Sequence, residues 1–445
     1  MKQYFPKQIA LYFLLAILLL SGSVSAQTLQ GKIPYLRAYD KTGINVFETS
    51  KTDTATFTAP TLRLGAGFTQ EFQGLKDQNS LGSGKGNGLY GISPGFNTAM
   101  ANLYTDVLLA DGIHLNVTVY LSTRHHNEAW VKGGYLQFDK LPFKGQFWAD
   151  LMKYTTIKIG HYEINYGDAH YRRTDAGQAM YNPFIESYIV DAFGTEIGGE
   201  VYYQRSGFIG MVGLTNGMVK GSIDSTTTTA QNGTIHKNPA IYGKIGFDKQ
   251  VGEAVRLRLT GSYYHISSSP SNDLYGGDRA GSNYWMVMEK PYVVPASGTS
   301  AYEGDGFSGR LNPGFGYKVD AFMVNGFAKV KGFELFGTLE HAQGRSSTEV
   351  SNRQFTQYAL DGIYRFGQSE NLFVGIRYNN VLSELKGISA PVTIDRLAYA
   401  AGWFLTKNIL LKGEYVTQNY RDFPITDYRN GGKFNGYVIA ATVGF

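Results

Sequence analysis

The 445-residue chain contains no cysteine, so no disulfide constrains its fold. Its charge is also nearly balanced. The formal net charge is +5, and it falls to +3 once Lys2 and Lys7 are removed. A chain so close to neutrality lacks the strong global field that attracts nucleic acid, and we expect no nucleic-acid partner.

Motifs for catalysis and cofactor binding are also missing. The eight histidines are scattered, and neither a Gly-x-Ser-x-Gly nor a His-Glu-x-x-His pattern accompanies them. Walker, Rossmann and EF-hand loops are absent as well. A metal-binding His125-His126 pair is one interpretation, and polar filling of a hairpin tip is the other. The sequence predicts a non-enzyme with no cofactor and no built-in metal, and an outer-membrane hydrolase is the enzyme alternative.

The only long apolar run extends from Ile9 to Leu20. It is shorter than the roughly 20 residues that a spanning helix needs. Basic residues precede the run and small residues follow it, which predicts an export signal at residues 1–26, cleaved after Ala26. A transmembrane anchor is the alternative. Residue 27 is Gln rather than Cys, which argues against a lipoprotein.

Aromatic residues and glycine are abundant, with 32 Tyr, 27 Phe and 55 Gly, yet the mean hydropathy is slightly polar. Strands that alternate lipid-facing and lumen-facing residues produce such an average. Period-two alternation is clear from Leu62 to Thr69 and clearest from Ile113 to Ser122. We predict strands at 62–69, 102–109, 113–122, 129–139, 155–163, 195–204, 207–216, 238–248, 254–266, 318–330, 333–343, 355–367, 371–382, 393–405, 409–419 and 434–445.

The predicted connections alternate between short and long, which places short turns on one side and long loops on the other. A soluble all-β array has no reason to sort its loops in this way. The predicted fold is therefore all-β: a transmembrane antiparallel β-barrel of about 16 strands over residues 61–445, with short periplasmic turns and long external loops. Residues 27–60 form a periplasmic N-terminal lead-in, which either enters the barrel mouth or is a flexible tail.

The last predicted strand has an apolar face with an aromatic near each end, Tyr437 and Phe445. It resembles the C-terminal signal of bacterial outer-membrane β-barrels, and this resemblance implies the barrel-assembly machinery as a partner. The alternative is the final strand of a soluble sandwich.

Strand parity places charged side chains on the inner face, because a lipid-facing Arg or Lys costs roughly 2–4 kcal/mol at the bilayer midplane. These groups either line a water-filled lumen or pair across strands and brace the wall. The predicted inner acids are Glu71, Asp106, Glu196, Glu200, Glu334, Glu340, Asp361 and Glu414. The predicted lumen-lining bases are Arg63, Lys158, Lys244, Arg256, Arg258, Lys329, Arg365, Arg377, Arg396 and Lys412.

The predicted loop at residues 164–194 holds a dense charge cluster among aromatics. Two adjacent arginines beside two aspartates suit a narrow passage with a transverse field. The predicted pore constriction comprises Asp168, His170, Arg172, Arg173 and Asp175. An ordinary external loop with solvated charges is the alternative.

A family resemblance covers residues 160–167, Gly-His-Tyr-Glu-Ile-Asn-Tyr-Gly. This stretch resembles the Gly-Gln-Phe-Lys-x-Pro-Phe-Gly segment of the phosphate-selective porins O and P, with both glycines and both aromatic positions in place. Glu163 stands at the family's lysine and Asn165 at its proline. The resemblance implies a substrate channel whose third loop folds inward, but the loss of the lysine argues against phosphate selectivity.

The expected function is that of a porin-like channel in the outer membrane of a Gram-negative bacterium. It would pass small hydrophilic solutes by passive diffusion, with a weak preference for anions, embedded in outer-membrane lipid as a homotrimer. The alternative is a non-conducting scaffold or a barrel of a secretion apparatus.

Overall fold

The computed structural model describes residues 33–81, 88–97, 99–122, 129–219, 224, 227–277, 280–290 and 308–445. The predicted export signal at 1–26, the start of the lead-in and the His125-His126 pair lie outside the described residues. None of the helices in the described part of the chain is long and apolar enough to cross a membrane.

Within these described ranges, sixteen long strands form the wall, as the alternation predicted. In chain order they are β1 Thr61–Gln78, β2 Met100–Ala110, β3 Ile113–Ser122, β4 Trp130–Phe138, β5 Thr155–Glu163, β6 Thr195–Arg205, β7 Phe208–Thr215, β8 Ala240–Val251, β9 Val255–Ile266, β10 Lys318–Val330, β11 Phe333–Arg345, β12 Arg353–Phe366, β13 Leu372–Ser383, β14 Val392–Thr406, β15 Ile409–Arg421 and β16 Lys433–Gly444.

Every strand pairs antiparallel with its neighbours in sequence, and β1 closes the sheet. The first half of β1 pairs with β2, from Thr61↔Leu108 onward, and the second half pairs with β16 as far as Gln78↔Lys433. A closed barrel leaves no free edge, so the backbone is satisfied even where it crosses lipid. The predicted barrel is confirmed.

Two details differ from the sequence prediction. Strand β1 extends to Gln78 rather than ending at residue 69, because the long last strand supplies partners along its whole length. The connection at 139–154 lies on the side of the short turns but is long, and it carries a seven-residue helix, α1 (Gln146–Met152). Loop length alone therefore does not sort every connection.

The outer face is apolar and is bordered by aromatic side chains at both ends of the strands. Toward the short turns Phe208 lies 5.5 Å from Phe247, and toward the long loops Tyr358 lies 6.1 Å from Tyr378, measured between ring centroids. Tyr437 and Phe445 both point outward, with 43% and 54% of their surfaces exposed. Exposed apolar side chains on the outside and buried polar ones inside are typical of a barrel embedded in lipid.

Candidate functional site: the barrel interior

The N-terminal segment, defined here as residues 33–53, lies inside the end of the barrel that carries the short turns. The Tyr39 ring stacks on Tyr104 of β2 with centroids 3.8 Å apart. The backbone nitrogen of Lys41 donates to the carbonyl oxygen of Lys407 at 2.9 Å, beside the β14–β15 turn. On another side of the mouth, Lys51 pairs with Asp139 at 2.9 Å. The segment thus contacts widely separated parts of the wall.

The loop at residues 164–194, here the inner loop, is held inside the barrel by side chains of the wall. Lys412 of β15 donates to three of its carbonyl oxygens, those of Ala179, Asn182 and Phe184, at 2.9, 3.0 and 2.6 Å. On β12, Gln357 accepts from the backbone nitrogen of Val190 at 2.9 Å. Inner-face polar side chains therefore satisfy backbone groups that would otherwise be buried without partners.

Two glycines allow the inner loop to approach the wall closely. Gly167 has φ +69°, and a Cβ there would lie 2.2 Å from Sδ of Met323. A Cβ at Gly177 would lie 2.5 Å from the Cα of Ala101 and from the carbonyl oxygen of Gly67. Only glycine fits at such contacts without displacing its neighbours.

The described parts of the connection 267–317 also enter the barrel and pack on the inner loop. The backbone nitrogen of Asn283 donates to the carboxylate of Glu186 at 2.6 Å. That of Leu311 donates to the carbonyl oxygen of Ile189 at 2.7 Å. Buried apolar side chains of both loops and of the wall form one continuous core, so this side of the lumen is filled.

A buried cluster of four charges joins the N-terminal segment, the inner loop and the wall. Arg258 contacts Glu48 at 2.7 Å and Asp168 at 2.7 Å, and Lys244 contacts the same two acids at 3.3 and 2.9 Å. Burial alone would raise the pKa of Glu48, but Arg258 and Lys244 outweigh it and lower that pKa to about 2. The same two cations lower the pKa of Asp168 despite its burial.

Two of the predicted constriction residues are enclosed in such contacts. Asp168 is 1% exposed within the four-charge cluster. Arg172 is 2% exposed, donates to Asn45, and lies over the rings of Phe327 and Phe336 at 5.5 and 5.1 Å. Both side chains anchor the inner loop to its surroundings.

The other three predicted constriction residues border an open space. Arg173 pairs with Asp191 at 2.5 Å and with Asp175 at 3.2 Å. His170 lies 3.5 Å from Glu163 and 2.9 Å from the amide oxygen of Asn165, and burial lowers the pKa of its imidazole. The structure therefore divides the predicted set instead of bringing all five together.

The ten predicted lumen-lining bases lie on the inner face, but most are enclosed. Six are buried: Lys244, Arg258, Arg365, Arg377, Arg396 and Lys412. Four are half-buried: Arg63, Lys158, Arg256 and Lys329. Arg256, Lys329, Arg365 and Arg377 form ion pairs with the inner-face or turn acids Asp248, Glu370, Glu334 and Asp361. Lys158 borders the cavity described below, and the role of these residues in lining a water-filled lumen stays a prediction.

A cavity of about 280 Å³ lies between the β2–β6 wall, the N-terminal segment and the inner loop. In the described part of the chain, eight tyrosines line it: Tyr35, Tyr39, Tyr104, Tyr135, Tyr162, Tyr171, Tyr181 and Tyr202. Its cationic residues are Arg37, Lys132, Lys158 and Arg173, and its acids are Glu48, Glu163 and Asp175. Hydroxyl groups and charges of both signs make the lining of this space polar.

A closed sixteen-stranded barrel with an apolar, aromatic-bordered outside and a polar inside is a transmembrane barrel of the Gram-negative outer membrane. Among the described residues, no group of three or more His, Asp and Glu side chains is placed to hold a metal ion.

Comparison with known proteins gives the fold alone. No protein-family model matches the chain, and no curated protein matches it. An anion-selective porin from Comamonas acidovorans is 11% identical, with a TM-score of 0.50, over 87% of this chain and 100% of that one. The trimer form of in-vitro folded OmpT, an outer-membrane protein of Vibrio cholerae, is 12% identical, with a TM-score of 0.50, over 87% and 100%. The resemblance to phosphate-selective porins stays a prediction.

Entry of the lead-in into the barrel mouth was one of the two alternatives left open by the sequence, but none of its residues was predicted to line the interior. Arg37 and Glu48 both border the cavity, yet neither belongs to a strand whose parity could have marked it. The available signals were aromatic residues in a polar stretch, Tyr35 and Tyr39, and the apolar group that ends in Phe47.

Proposed function

We propose that the protein is an outer-membrane channel of the porin type, through which small hydrophilic solutes diffuse passively. The observation that carries this proposal is the cavity between the inner loop and the β2–β6 wall. Filling of the opposite side of the lumen confines any passage to this space, and a narrow polar space is what selects solutes by size and charge.

A weak preference for anions is part of the proposal. Among the described residues, four cationic side chains and three acids line the cavity, so the formal charge of this lining is slightly positive. Ions in a narrow bore feel such charges more strongly than they would in bulk water, because less solvent screens them. The anion-selective porin that shares the fold supports the same direction of preference.

Reconstitution of the purified barrel into planar bilayers tests the channel. We expect discrete conductance steps and, in a potassium chloride gradient, a reversal potential displaced toward the chloride equilibrium potential. A barrel that assembles fully but gives no conductance would favour the non-conducting scaffold instead. A non-enzymatic role is part of this proposal, and retention of intact solute after passage into liposomes checks it.

We also propose that β16 is the segment read by the assembly machinery. Its outward aromatics Tyr437 and Phe445 flank an apolar face, and the backbone of Phe445 exchanges two hydrogen bonds with Ala66 of β1 at the barrel seam. We expect Phe445→Asp to reduce the amount of assembled barrel several-fold and to leave precursor in the periplasm. Normal yield of heat-modifiable barrel from this variant would contradict the assignment, and Ile425→Asp in an exposed loop is the control.

A homotrimer is the proposed assembly. The outward positions of β2 and β3 hold only Ala, Leu, Thr, Val and Ile, whereas strands elsewhere carry outward aromatics such as Tyr358 and Tyr415. Aromatic side chains prefer the membrane–water interface, so a face without them suits contact with protein. Cysteine pairs introduced on β2 and β3 should cross-link between subunits in membranes, whereas pairs on β12 and β13 should not.

A further inference from the structure

Arg37 of the N-terminal segment borders the cavity with part of its guanidinium free. Its Nε donates to the carbonyl oxygen of Gly43 at 2.8 Å, and Nη2 donates to that of Tyr171 at 2.9 Å. The guanidinium carbon lies 3.6 Å from the ring centroid of Tyr181. Within the described chain, no carboxylate forms a salt bridge with Arg37, and Nη1 makes no hydrogen bond. This cation is held by carbonyl oxygens and a ring face and keeps donor capacity for a ligand.

Lys158 of β5 borders the same cavity and is also held by rings. Its Nζ lies 4.3 Å from the ring centroids of both Tyr135 and Tyr162. Its described carboxylate partner, Glu200, forms only a long ion pair with it at 3.7 Å, beyond hydrogen-bond distance. Glu200 itself accepts hydrogen bonds from the backbone of Asn165 and from the hydroxyls of Tyr202 and Tyr242.

The remaining two cations of the cavity differ. Lys132 forms a salt bridge with Asp175, and Arg173 forms a fork with Asp191 through bonds of 3.1 and 2.5 Å. Carboxylates already occupy their donors, so an incoming anion would have to displace a bound carboxylate. Among the described cations of the cavity, Arg37, which has no carboxylate partner, and Lys158, whose contact with Glu200 is long, can accept an anion at lower cost.

We propose that Arg37 and Lys158 form an anion-recognition site of the channel, which determines its selectivity. The ligand class is a small monoanion, flanked by tyrosine rings and hydroxyl groups. Glu163 borders the same cavity and Glu200 lies beside Lys158, and these acids disfavour a dianion. The site rests on the proposed channel function and deepens it, since its chief residue comes from the N-terminal segment rather than from the inner loop.

The test compares Arg37→Gln and Lys158→Gln with the wild type in planar bilayers. Lys140→Gln is the matched control, because it removes the same charge from an exposed pair with Asp111 that does not line the cavity. At low salt, the chloride-to-potassium permeability ratio should fall about twofold or more in each test variant and stay unchanged in the control. Arg37→Lys, which keeps the charge, should retain most of the selectivity.

Permeability measurements with either acetate or phosphate as the only anion distinguish monoanions from dianions as the ligand class. We expect acetate to retain the dependence on Arg37, and phosphate near neutral pH to show a smaller one. A greater dependence for phosphate would overturn the assignment to monoanions. An unchanged chloride ratio in both Gln variants, each shown by heat-modifiable gel mobility to be assembled, would overturn the site.

A wild type that fails to conduct would contradict the proposed function, and a second measurement then decides the site on its own. Calorimetric titration of sodium acetate into the detergent-solubilised barrel should give binding that Arg37→Gln abolishes. Absence of binding by the wild type, or equal binding by the variant, would overturn the inference.

Discussion

The two sides of the lumen carry similar residues but use them differently. On the packed side, formed by β10–β16 with the inner loop and the connection 267–317, Arg377 pairs with Asp361 at 2.7 and 2.8 Å and donates to the carbonyl oxygen of Glu186. On the open side, formed by β2–β6, Lys158 lies between two tyrosine rings beside the cavity. Arg377 on the first side fastens a loop, whereas Lys158 on the second side borders open space.

This difference shows that an inward charge has no fixed role in a barrel. A loop that enters the lumen brings backbone carbonyl and amide groups that need partners once water is excluded. Side chains on the wall become those partners wherever the loop packs. Where a loop does not pack directly on the wall, the same residue types border open space. The path of the loops therefore decides which charges hold a loop in place and which face the cavity.

Breaking the buried pair of Arg377 and Asp361 on the packed side should have the largest effect on stability. Arg377→Ala leaves the fully buried Asp361 without its cation and removes bonds to Glu186 and Asn182 of the inner loop. We expect it to lower the free energy of unfolding by roughly 3–5 kcal/mol, the usual result of breaking a buried pair. Urea unfolding of the barrel in detergent, followed by tryptophan fluorescence, measures the change.

The matched control is Arg421→Ala, since Arg421 pairs with Asp395 at 2.6 Å while its side chain is 58% exposed. An exposed pair contributes only about 0–1 kcal/mol. Equal losses from the two variants would contradict the structural role given to the packed side.

Detaching the inner loop should have the next largest effect and should change conductance. Lys412→Met has a similar volume but removes the donor shared by three loop carbonyl oxygens. Each buried group left without a partner costs about 1–3 kcal/mol, so the loop should leave the wall. Single-channel recordings should show higher and noisier conductance. The same substitution at the half-exposed Lys329 should not, and a quiet channel of unchanged conductance from Lys412→Met would refute the anchoring role.

A smaller effect on stability is expected at the four-charge cluster, where β8, β9 and the inner loop meet the N-terminal segment. The pKa of Glu48 is lowered to about 2, so its contribution to stability is complete above its ordinary pKa of 4.5 and is lost as the pH falls toward 2. We expect the wild type to lose on the order of 2 kcal/mol from this group over that range. In the Glu48→Gln variant, the loss of unfolding free energy on acidification should be smaller. Urea midpoints measured between pH 7 and 2.5 check this.

Glu253→Gln, in an exposed turn, provides the control for this measurement. An acid profile of Glu48→Gln that superimposes on that of the wild type would show that the cluster does not couple the N-terminal segment to the wall.

Much of the architecture could be predicted because it depends on local rules. Alternation from Ile113 to Ser122 defines two faces of a strand whatever its neighbours are, and a tight turn after it or before it fixes an antiparallel pair. The inward position of Arg377 and Lys412 follows from the same parity. Asp361, the partner of Arg377, lies on the neighbouring strand. The partners of Lys412 do not follow from parity, because Ala179 and Phe184 lie more than two hundred residues away from it in the chain.

The sequence by itself determined the wall: sixteen alternating strands, the side each residue faces, and the aromatic borders at the membrane surfaces. Only the tertiary structure decided the contents of the lumen, namely that Arg172 is enclosed, that Arg37 and Glu48 reach the interior, and that the cavity lies along β2–β6. The physical reason is the range of the interactions. Lipid imposes a period-two pattern on every strand, whereas loop packing depends on contacts between residues remote in sequence, which leave no repeating pattern to read.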